Sequence, residues 1–276
     1  MKSYNYIKAK QTAWARRRGL TLTDSTNDGR GEKNYVKETN QNIFQGLSEK
    51  TNEQFEKGQG NELKNKMRAL HSSSAIAVNI FQYWKNEDEV RVIAKACGFC
   101  YPHNQDDFSL EFERKFEITP KSVPHLDVVI ENTTKNKILA IESKLTEPFS
   151  HRGLKGIEKY YIDKDLWQGL SSLYGLAKKL CPDNKCFEYL DVAQLIKHIL
   201  GLKKQKQKFR LLYLWYDVAG EESEKHRKEI SEFAEIAKSD KIDFRFMSYQ
   251  ELISKLSEKL YVGNEEYINY ITDRYL

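Results

Sequence analysis

Three charged residues interrupt two apolar segments near the middle of this 276-residue sequence. Asp127 lies in the segment 126–130, and Glu142 and Lys144 follow the segment 138–141. The turn-prone stretch ENTTKNK separates the two segments, so the pattern predicts two strands joined by a hairpin loop. Alternate residues of a strand share a face, so Glu142 and Lys144 point the same way and Asp127 can stand beside them.

Two acids and a lysine at the end of an apolar sheet need a compensating charge. Buried charges without partners cost several kcal/mol each, and a divalent cation is one way to offset that cost. Carboxylate and main-chain carbonyl oxygens suit Mg²⁺, which keeps its remaining positions for water and phosphate oxygens. We therefore predict that Asp127, Glu142 and the carbonyl of Ser143 bind Mg²⁺, with Mn²⁺ able to substitute for it.

The acid-x-lysine tripeptide is a weak signal by itself, because 31% of the residues are charged and the tripeptide occurs four times. Only Glu142-Ser143-Lys144 stands at the end of an apolar strand. It is also the only copy that follows another apolar strand with an acid inside it. The structural alternative is a salt-bridged pair of edge strands, because charges on edge strands discourage aggregation. These residues alone leave both interpretations open.

Asp127, Glu142 and Lys144 resemble the motif of the PD-(D/E)XK nuclease superfamily, the restriction-endonuclease-like fold. In that family an acid lies on the second core strand and an acid-x-lysine on the third. Pro124 lies three residues before Asp127 instead of directly before it, and the segment ALHSSSAIAVNIF also looks like bacterial members. The resemblance covers about residues 62–249 and implies hydrolysis of phosphodiester bonds to a 5′ phosphate and a 3′ hydroxyl, with Lys144 orienting the attacking water.

Three more residues are candidates for this site. An acid on the first helix often joins the metal site in the resembled family, which indicates Glu62, and a glutamine after the third strand often lies beside it, which indicates Gln194. Glu113 can lie next to Asp127 if their strands pair, and can hold a metal ion or a water molecule. Each also has a structural explanation, respectively a helix N-terminal acid, a polar stripe on a surface helix, or an ion pair with a neighbouring lysine.

The order of elements predicts an α/β fold with a restriction-endonuclease-like core, αβββαβ, in which helices flank a mixed central sheet. Residues 1–60 are predicted to be a basic, loop-rich N-terminal extension, and residues 61–276 the nuclease domain. A helix is predicted to begin near Asn61 and to run through Trp84, because apolar residues recur there close to the helical period. The apolar run 209–218 predicts a central strand that is buried on both faces.

Two stretches predict which side chains share a face. In the strand around residues 111–118, alternation places Phe112, Phe116 and Ile118 on one face. In the amphipathic helix that follows the motif, Asp191, Gln194 and His198 lie opposite the apolar face. These three residues are spaced to form one polar stripe.

The net charge of +5 is modest, but its distribution favours DNA as a partner. Arg16, Arg17 and Arg18 belong to a basic amino terminus, and Lys203 and Lys204 open a second basic run. Both runs could bind a phosphate backbone, and both could equally be solvated. By analogy alone, a homodimer would suit double-strand cleavage of a symmetric site.

The remaining sequence features bear on the cellular compartment and on a possible zinc site. The amino terminus has no apolar segment typical of a signal peptide, and no stretch is long enough for a membrane span, so we expect a cytoplasmic protein without membrane association. Four cysteines occur in two spaced pairs. We expect buried or free thiols here in preference to a zinc site.

These observations predict a magnesium-dependent DNA endonuclease of restriction-like type. A DNA-binding module that keeps the fold without cleaving is one alternative, and a repair or recombination nuclease is another. A zinc-stabilised interaction protein built on the cysteines is a third alternative. The target sequence of such an enzyme depends on a few groove-reading side chains.

Overall fold

The computed structural model describes residues 2–58, 62–63, 65–101, 103, 105–150, 153–260 and 262–276. The described residues form ten α-helices and seven strands. The helices are α1 (Ser3–Arg17), α2 (Glu49–Glu56), α3 (Ser73–Asn86), α4 (Val90–Ala96), α5 (Lys159–Ile162), α6 (Ser171–Lys179), α7 (Val192–Lys204), α8 (Glu221–Ser239), α9 (Tyr249–Leu260) and α10 (Glu265–Tyr275). The strands are β1 (Leu22–Thr23), β2 (Tyr35–Val36), β3 (Phe108–Lys115), β4 (His125–Asn132), β5 (Lys137–Lys144), β6 (Lys208–Trp215) and β7 (Phe244–Ser248).

A mixed sheet of five strands, in the order β3-β4-β5-β6-β7, forms the centre of the fold. β3 and β5 run antiparallel to β4, whereas β6 runs parallel to both β5 and β7. The predicted hairpin is confirmed, because β4 and β5 pair with Val128 opposite Ile141 and Asn132 opposite Lys137. The predicted α/β class, with helices flanking a mixed sheet, is confirmed as well.

The sheet separates two apolar cores. Leu212 and Leu214, on one face of β6, pack with α3, α9 and α10 in what we call the α3-side core. Leu211 and Tyr213, on the other face, pack with α6, α7 and α8 in the α7-side core. β6 is therefore buried on both faces, as its apolar run predicts. No helix in the described residues is long and apolar enough to cross a membrane.

The segment predicted as a loop-rich extension contains a regular helix. Ile7, Gln11 and Trp14 recur at helical spacing in α1 and are buried. α1 packs against α10, and Ile7, Phe44 and Phe55 belong to the α3-side core. The amino-terminal residues therefore complete the core beside the central sheet.

The helix predicted to begin near Asn61 is wrong in its first half, although Asn61 itself lies outside the described residues. The chain forms a 3₁₀ turn at Lys66–Arg68, and α3 begins only at Ser73. Between these two elements the N–H of Leu70 donates to the carbonyl of Asn34, 3.0 Å away. This segment therefore bonds to the chain around β2, and its apolar spacing imitates a helix.

The predicted shared face of β3 and the residues after it is also wrong. Phe112 packs in the α3-side core, whereas Phe116 and Ile118 pack in the α7-side core. Glu113 lies between them in the left-handed region, with φ at +53°. This backbone conformation reverses the alternation of faces, and it costs a non-glycine residue on the order of 1–3 kcal/mol.

Candidate active site

The paired ends of β4 and β5 bring the predicted acids and lysine together. The register that places Val128 opposite Ile141 continues towards Asp127 and Glu142, and Asp127 Oδ2 accepts a hydrogen bond from the N–H of Ser143 at 2.7 Å. Lys144 Nζ lies 2.5 Å from Glu142 Oε1. The first acid thus bonds to the main chain of β5, and the second pairs with the lysine.

α7 supplies two more side chains to this centre. Gln194 Oε1 accepts a hydrogen bond from Lys144 Nζ at 2.9 Å. His198 Nε2 lies 2.9 Å from Glu142 Oε2, and the His198 side chain is 2% exposed. Asp191 caps the helix by accepting the N–H of Gln194. The polar stripe therefore faces the acids instead of solvent, which contradicts a surface position for His198.

His198 is a site residue that the sequence did not single out. The available signal was its spacing of four residues from Gln194, which places both side chains on one stripe of α7. α7 is buried around most of its circumference, because its apolar residues fill the α7-side core. On such a helix a polar stripe can persist only where other polar groups meet it.

A cleft of about 1030 Å³ opens over this centre. Asp127, Lys144 and Gln194 lie on its wall, together with Glu62 and Glu113. Glu142 does not line the cleft: it is 1% exposed, and Lys144 and His198 contact its two oxygens. The structure therefore gathers all the candidate catalytic side chains at one end of β4 and β5.

Almost the whole sequence matches one family. The model of the family described as "Restriction Endonuclease associating with ARP", or REase-ARP, matches residues 8–276. The chain belongs to the REase-ARP family. The description names a restriction endonuclease and so indicates a nuclease-like function. No match was found among curated proteins or among solved structures.

The charges at the centre of this REase-ARP chain strongly affect one another. Burial and the negative charge of Glu142 raise the pKa of Asp127 well above its usual range. Burial would also raise the pKa of Glu142, but the charges of Lys144 and His198 lower it to about 2. Burial alone would lower the pKa of Lys144, whereas Glu142 and Asp127 raise it. At neutral pH the lysine and Glu142 are therefore charged, whereas burial and Glu142 disfavour the ionised form of Asp127.

Glu113 occupies the strained position of β3 beside these groups. Its Oε2 lies 3.4 Å from His125 Nδ1. Burial, together with the charges of Glu62 and Glu142, raises the pKa of Glu113 to about 7. A strained backbone that holds a partly protonated acid in a cleft is typical of functional sites.

Glu113 gives this REase-ARP chain a pH-dependent stability. Its folded pKa of about 7 exceeds the ordinary 4.5, so the folded chain loses stability as pH rises between these values. The difference amounts to about 3 kcal/mol at pH above 7. We expect Glu113→Gln to remove this loss, which urea denaturation at about pH 5 and about pH 8 without metal measures. The same pH dependence in the variant and the wild type would contradict the assignment.

Two other predicted ligands lie at the margins of the centre. Glu62 accepts hydrogen bonds from Ser74 Oγ at 2.9 Å and from Lys66 Nζ at 2.6 Å, and it lines the cleft. Ser143 is buried, and its hydroxyl lies 2.6 Å from the hydroxyl of Tyr249. The role of the Ser143 carbonyl stays a prediction.

The predicted DNA-binding residues lie away from the cleft. Arg16, Arg17 and Arg18 end α1, whose start carries Tyr4 at the cleft, so they lie about 20 Å further along the helix axis. Arg17 and Arg18 pair with Asp273. Lys203 and Lys204 are the last residues of α7, at the opposite end of the central strands from the cleft. Lys204 pairs with Glu117 at 3.0 Å.

The part of the REase-ARP chain that the structure describes contains no preformed cluster of metal-binding side chains. No three His, Cys, Asp or Glu side chains there are grouped to hold a metal ion. The four cysteines are free thiols, of which Cys97 is buried and Cys186 exposed.

Proposed function

We propose that this chain is a magnesium-dependent DNA endonuclease that hydrolyses phosphodiester bonds, of the PD-(D/E)XK type. The observation that carries the proposal is the meeting of Asp127, Glu142 and Lys144 at one end of a hairpin, at an open cleft. The REase-ARP description supports a restriction role over a repair or recombination role. A cytoplasmic location and a homodimer are parts of the proposal, as is association with a protein such as the ARP of that description.

The donor atoms around the cleft fit a divalent cation. Asp127 and Glu113 have raised pKa values because they lie partly buried among other acids, and a cation near them would let both ionise. Mg²⁺ needs only one or two protein carboxylates, because water and phosphate oxygens fill its other positions. Asp127, on the cleft wall, would hold the ion with the Ser143 carbonyl, and Mn²⁺ would substitute. Glu142 is the second proposed ligand, although it is buried and its oxygens contact Lys144 and His198, so binding would require it to share an oxygen with the ion. When bound, the ion supplies positive charge to the phosphate and acidifies water.

The side chains around the acids keep them in position. His198 contacts one oxygen of Glu142 and Lys144 contacts the other, so this carboxylate has a fixed orientation. Gln194 holds the Lys144 ammonium towards the cleft. Because Lys144 stays charged, it orients water and stabilises negative charge on the phosphate, and it does not act as a base.

The charge of the cleft explains why DNA would need a cation there. Carboxylates on the wall outnumber ammonium groups by five to three. The acids are Glu62, Glu113, Asp127, Glu147 and Asp191, and the ammonium groups are Lys66, Lys144 and Lys155. Even where Asp127 and Glu113 hold protons, the three remaining acids balance the three ammonium groups, so a phosphate backbone meets no net attraction in the cleft. We therefore expect DNA to enter it only with a divalent cation.

An end-labelled duplex tests the proposed reaction. Incubation with Mg²⁺ should yield fragments that carry a 5′ phosphate and a 3′ hydroxyl, which religation by a DNA ligase detects. Incubation with Ca²⁺, which often supports binding without cleavage, separates binding from chemistry. Binding in Ca²⁺ with no cleavage in Mg²⁺ or Mn²⁺ would instead indicate the non-cleaving DNA-binding module.

His198 gives a prediction about metal affinity. His198→Leu removes the donor to Glu142, and we expect the dissociation constant for Mn²⁺ to rise roughly 10-fold to 100-fold. His198→Gln carries an amide that can reach the same oxygen, and it should restore most of the affinity. Calorimetric titration of Mn²⁺ without DNA measures this, with His103→Gln as an exposed control. Equal affinities for wild type and His198→Leu would contradict the role of His198.

A further inference from the structure

A second concave surface lies at the opposite end of the central strands from the cleft. This groove of about 700 Å³ is lined by the first residues of β5 and β6 and by the end of α7. β5 and β6 each span eight residues, so the groove and the cleft lie about 25 Å apart along the strands. We call it the lysine groove, after Lys137, Lys203, Lys206, Lys208 and Lys241.

The acids that line the lysine groove are engaged by other groups. Within the described residues none of the five lysines forms an ion pair, although two aspartates line the same groove. Asp243 pairs with Arg210 and Arg245, each at 2.9 Å. Asp240 accepts the N–H groups of Ser172 and Leu173 at the start of α6. The groove therefore carries strong positive charge.

The strand register adds a second, independent sign that a ligand belongs here. Lys137 and Lys208 are direct partners across β5 and β6. Like charges directly opposite each other on neighbouring strands destabilise a sheet by tenths of a kcal/mol. Nothing in the fold requires this pair, because both side chains are exposed at the first position of their strands. A bound polyanion would compensate for the repulsion.

We propose that the lysine groove binds the phosphate backbone of a nucleic-acid segment that does not occupy the cleft. The lysines come from three parts of the chain, so they form a distributed surface for several phosphates instead of a pocket for one. Phe99 and Phe209, both partly exposed, line the same groove. Aromatic rings among lysines favour contact with unpaired bases, so single-stranded and duplex DNA are separate arms of the test.

The proposed groove is independent of the proposed cleavage reaction. Its lysines do not contact Asp127, Glu142 or Lys144, and DNA can be bound there without a divalent cation. Binding is therefore measured in EDTA, where no metal-dependent cleavage occurs. Failure of either proposal therefore leaves the other testable.

The test compares two triple variants that lose the same charge. Lys203→Ala, Lys206→Ala and Lys208→Ala together alter the groove, whereas Lys225→Ala, Lys228→Ala and Lys238→Ala together alter the exposed side of α8. Fluorescence anisotropy of labelled duplex and single-stranded DNA follows affinity over a range of salt concentrations. We expect the groove variant to lose at least about 10-fold in DNA affinity. The slope of the logarithm of affinity against the logarithm of salt concentration should become shallower by roughly 2 to 3, and the α8 variant should be nearly unchanged in both. Replacing the same three groove lysines by arginine should preserve binding.

Three results would overturn the proposal. Equal losses in the two triple variants would show an unspecific effect of net charge. An unchanged salt slope in the groove variant would remove the groove from the DNA contact. Tight binding of poly-glutamate that depends on the groove lysines, without groove-dependent DNA binding, would assign the groove to an acidic protein.

Discussion

Asp127→Asn is expected to reduce metal-dependent DNA cleavage by roughly 10³-fold or more while the protein stays folded. The substitution keeps the shape of the side chain but removes the negative charge that would hold Mg²⁺ at the phosphate, and loss of one such electrostatic group has effects of this size. The Asn amide can still accept the N–H of Ser143, which Asp127 Oδ2 accepts at 2.7 Å. Cleavage of an end-labelled duplex under single-turnover conditions measures the effect.

The same variant should be at least as stable as the wild type without metal. Burial and Glu142 raise the pKa of Asp127 in the folded chain above its unfolded value. The folded state therefore binds the proton more tightly, and its stability is lost as pH rises from the unfolded pKa through the folded pKa. Asn cannot ionise, so Asp127→Asn should resist this loss. Urea denaturation near neutral pH and at higher pH compares the two proteins.

Substitution of an exposed aspartate is the control for both the cleavage and the denaturation measurements. Asp107 is exposed just before β3, and Asp107→Asn should change neither cleavage nor stability. Marked unfolding of Asp127→Asn would support the structural alternative, in which Asp127, Glu142 and Lys144 are only a salt-bridged group.

Arg274→Ala is expected to destabilise the fold by about 4 kcal/mol, because Arg274 is wholly buried and bonds to several segments. Its guanidinium lies 4.2 Å from the ring centre of Trp14, donates to the carbonyl of Asn42 at 2.8 Å and donates to Gln11 Oε1 at 3.0 Å. No carboxylate pairs with it among the described residues, so neutral oxygens and aromatic faces hold the charge. Truncation leaves these oxygens buried without donors.

Chemical denaturation followed by tryptophan fluorescence measures this loss. Arg18→Ala is the control, because Arg18 pairs with Asp273 at the surface, and exposed ion pairs contribute at most about 1 kcal/mol. Arg274→Lys keeps the charge but not the planar fork, so its loss should fall between those of the two alanine variants. A loss for Arg274→Ala no greater than that for Arg18→Ala would show that Arg274 does not hold α1 to α10.

The hairpin was predictable because its signals are local. Two apolar segments of strand length, a turn-prone stretch and the alternation of side chains together give β4, β5 and the shared face of Glu142 and Lys144. Such signals need no knowledge of distant contacts. The same reasoning gives β6, whose apolar run is buried on both faces.

Tertiary contacts overrode local patterns elsewhere. The segment before Ser73 has apolar spacing close to that of a helix, but its main chain bonds to residues near β2. In β3, alternation fails because Glu113 adopts a left-handed backbone, which nothing in its residue type predicts. Likewise, His198 is buried because the far side of α7 meets Glu142 and not solvent. Sequence alone cannot locate such contacts between distant segments.

The most direct test of the proposed site is the relaxation of supercoiled plasmid by the purified protein, with wild type and Glu142→Gln side by side in Mg²⁺ and in EDTA. Gln keeps the size of Glu142 but loses the charge that pairs with Lys144 and His198. The site described above predicts nicked or linear plasmid for the wild type in Mg²⁺ only, and almost none for Glu142→Gln. Equal cleavage by both proteins, or cleavage that persists in EDTA, would contradict it.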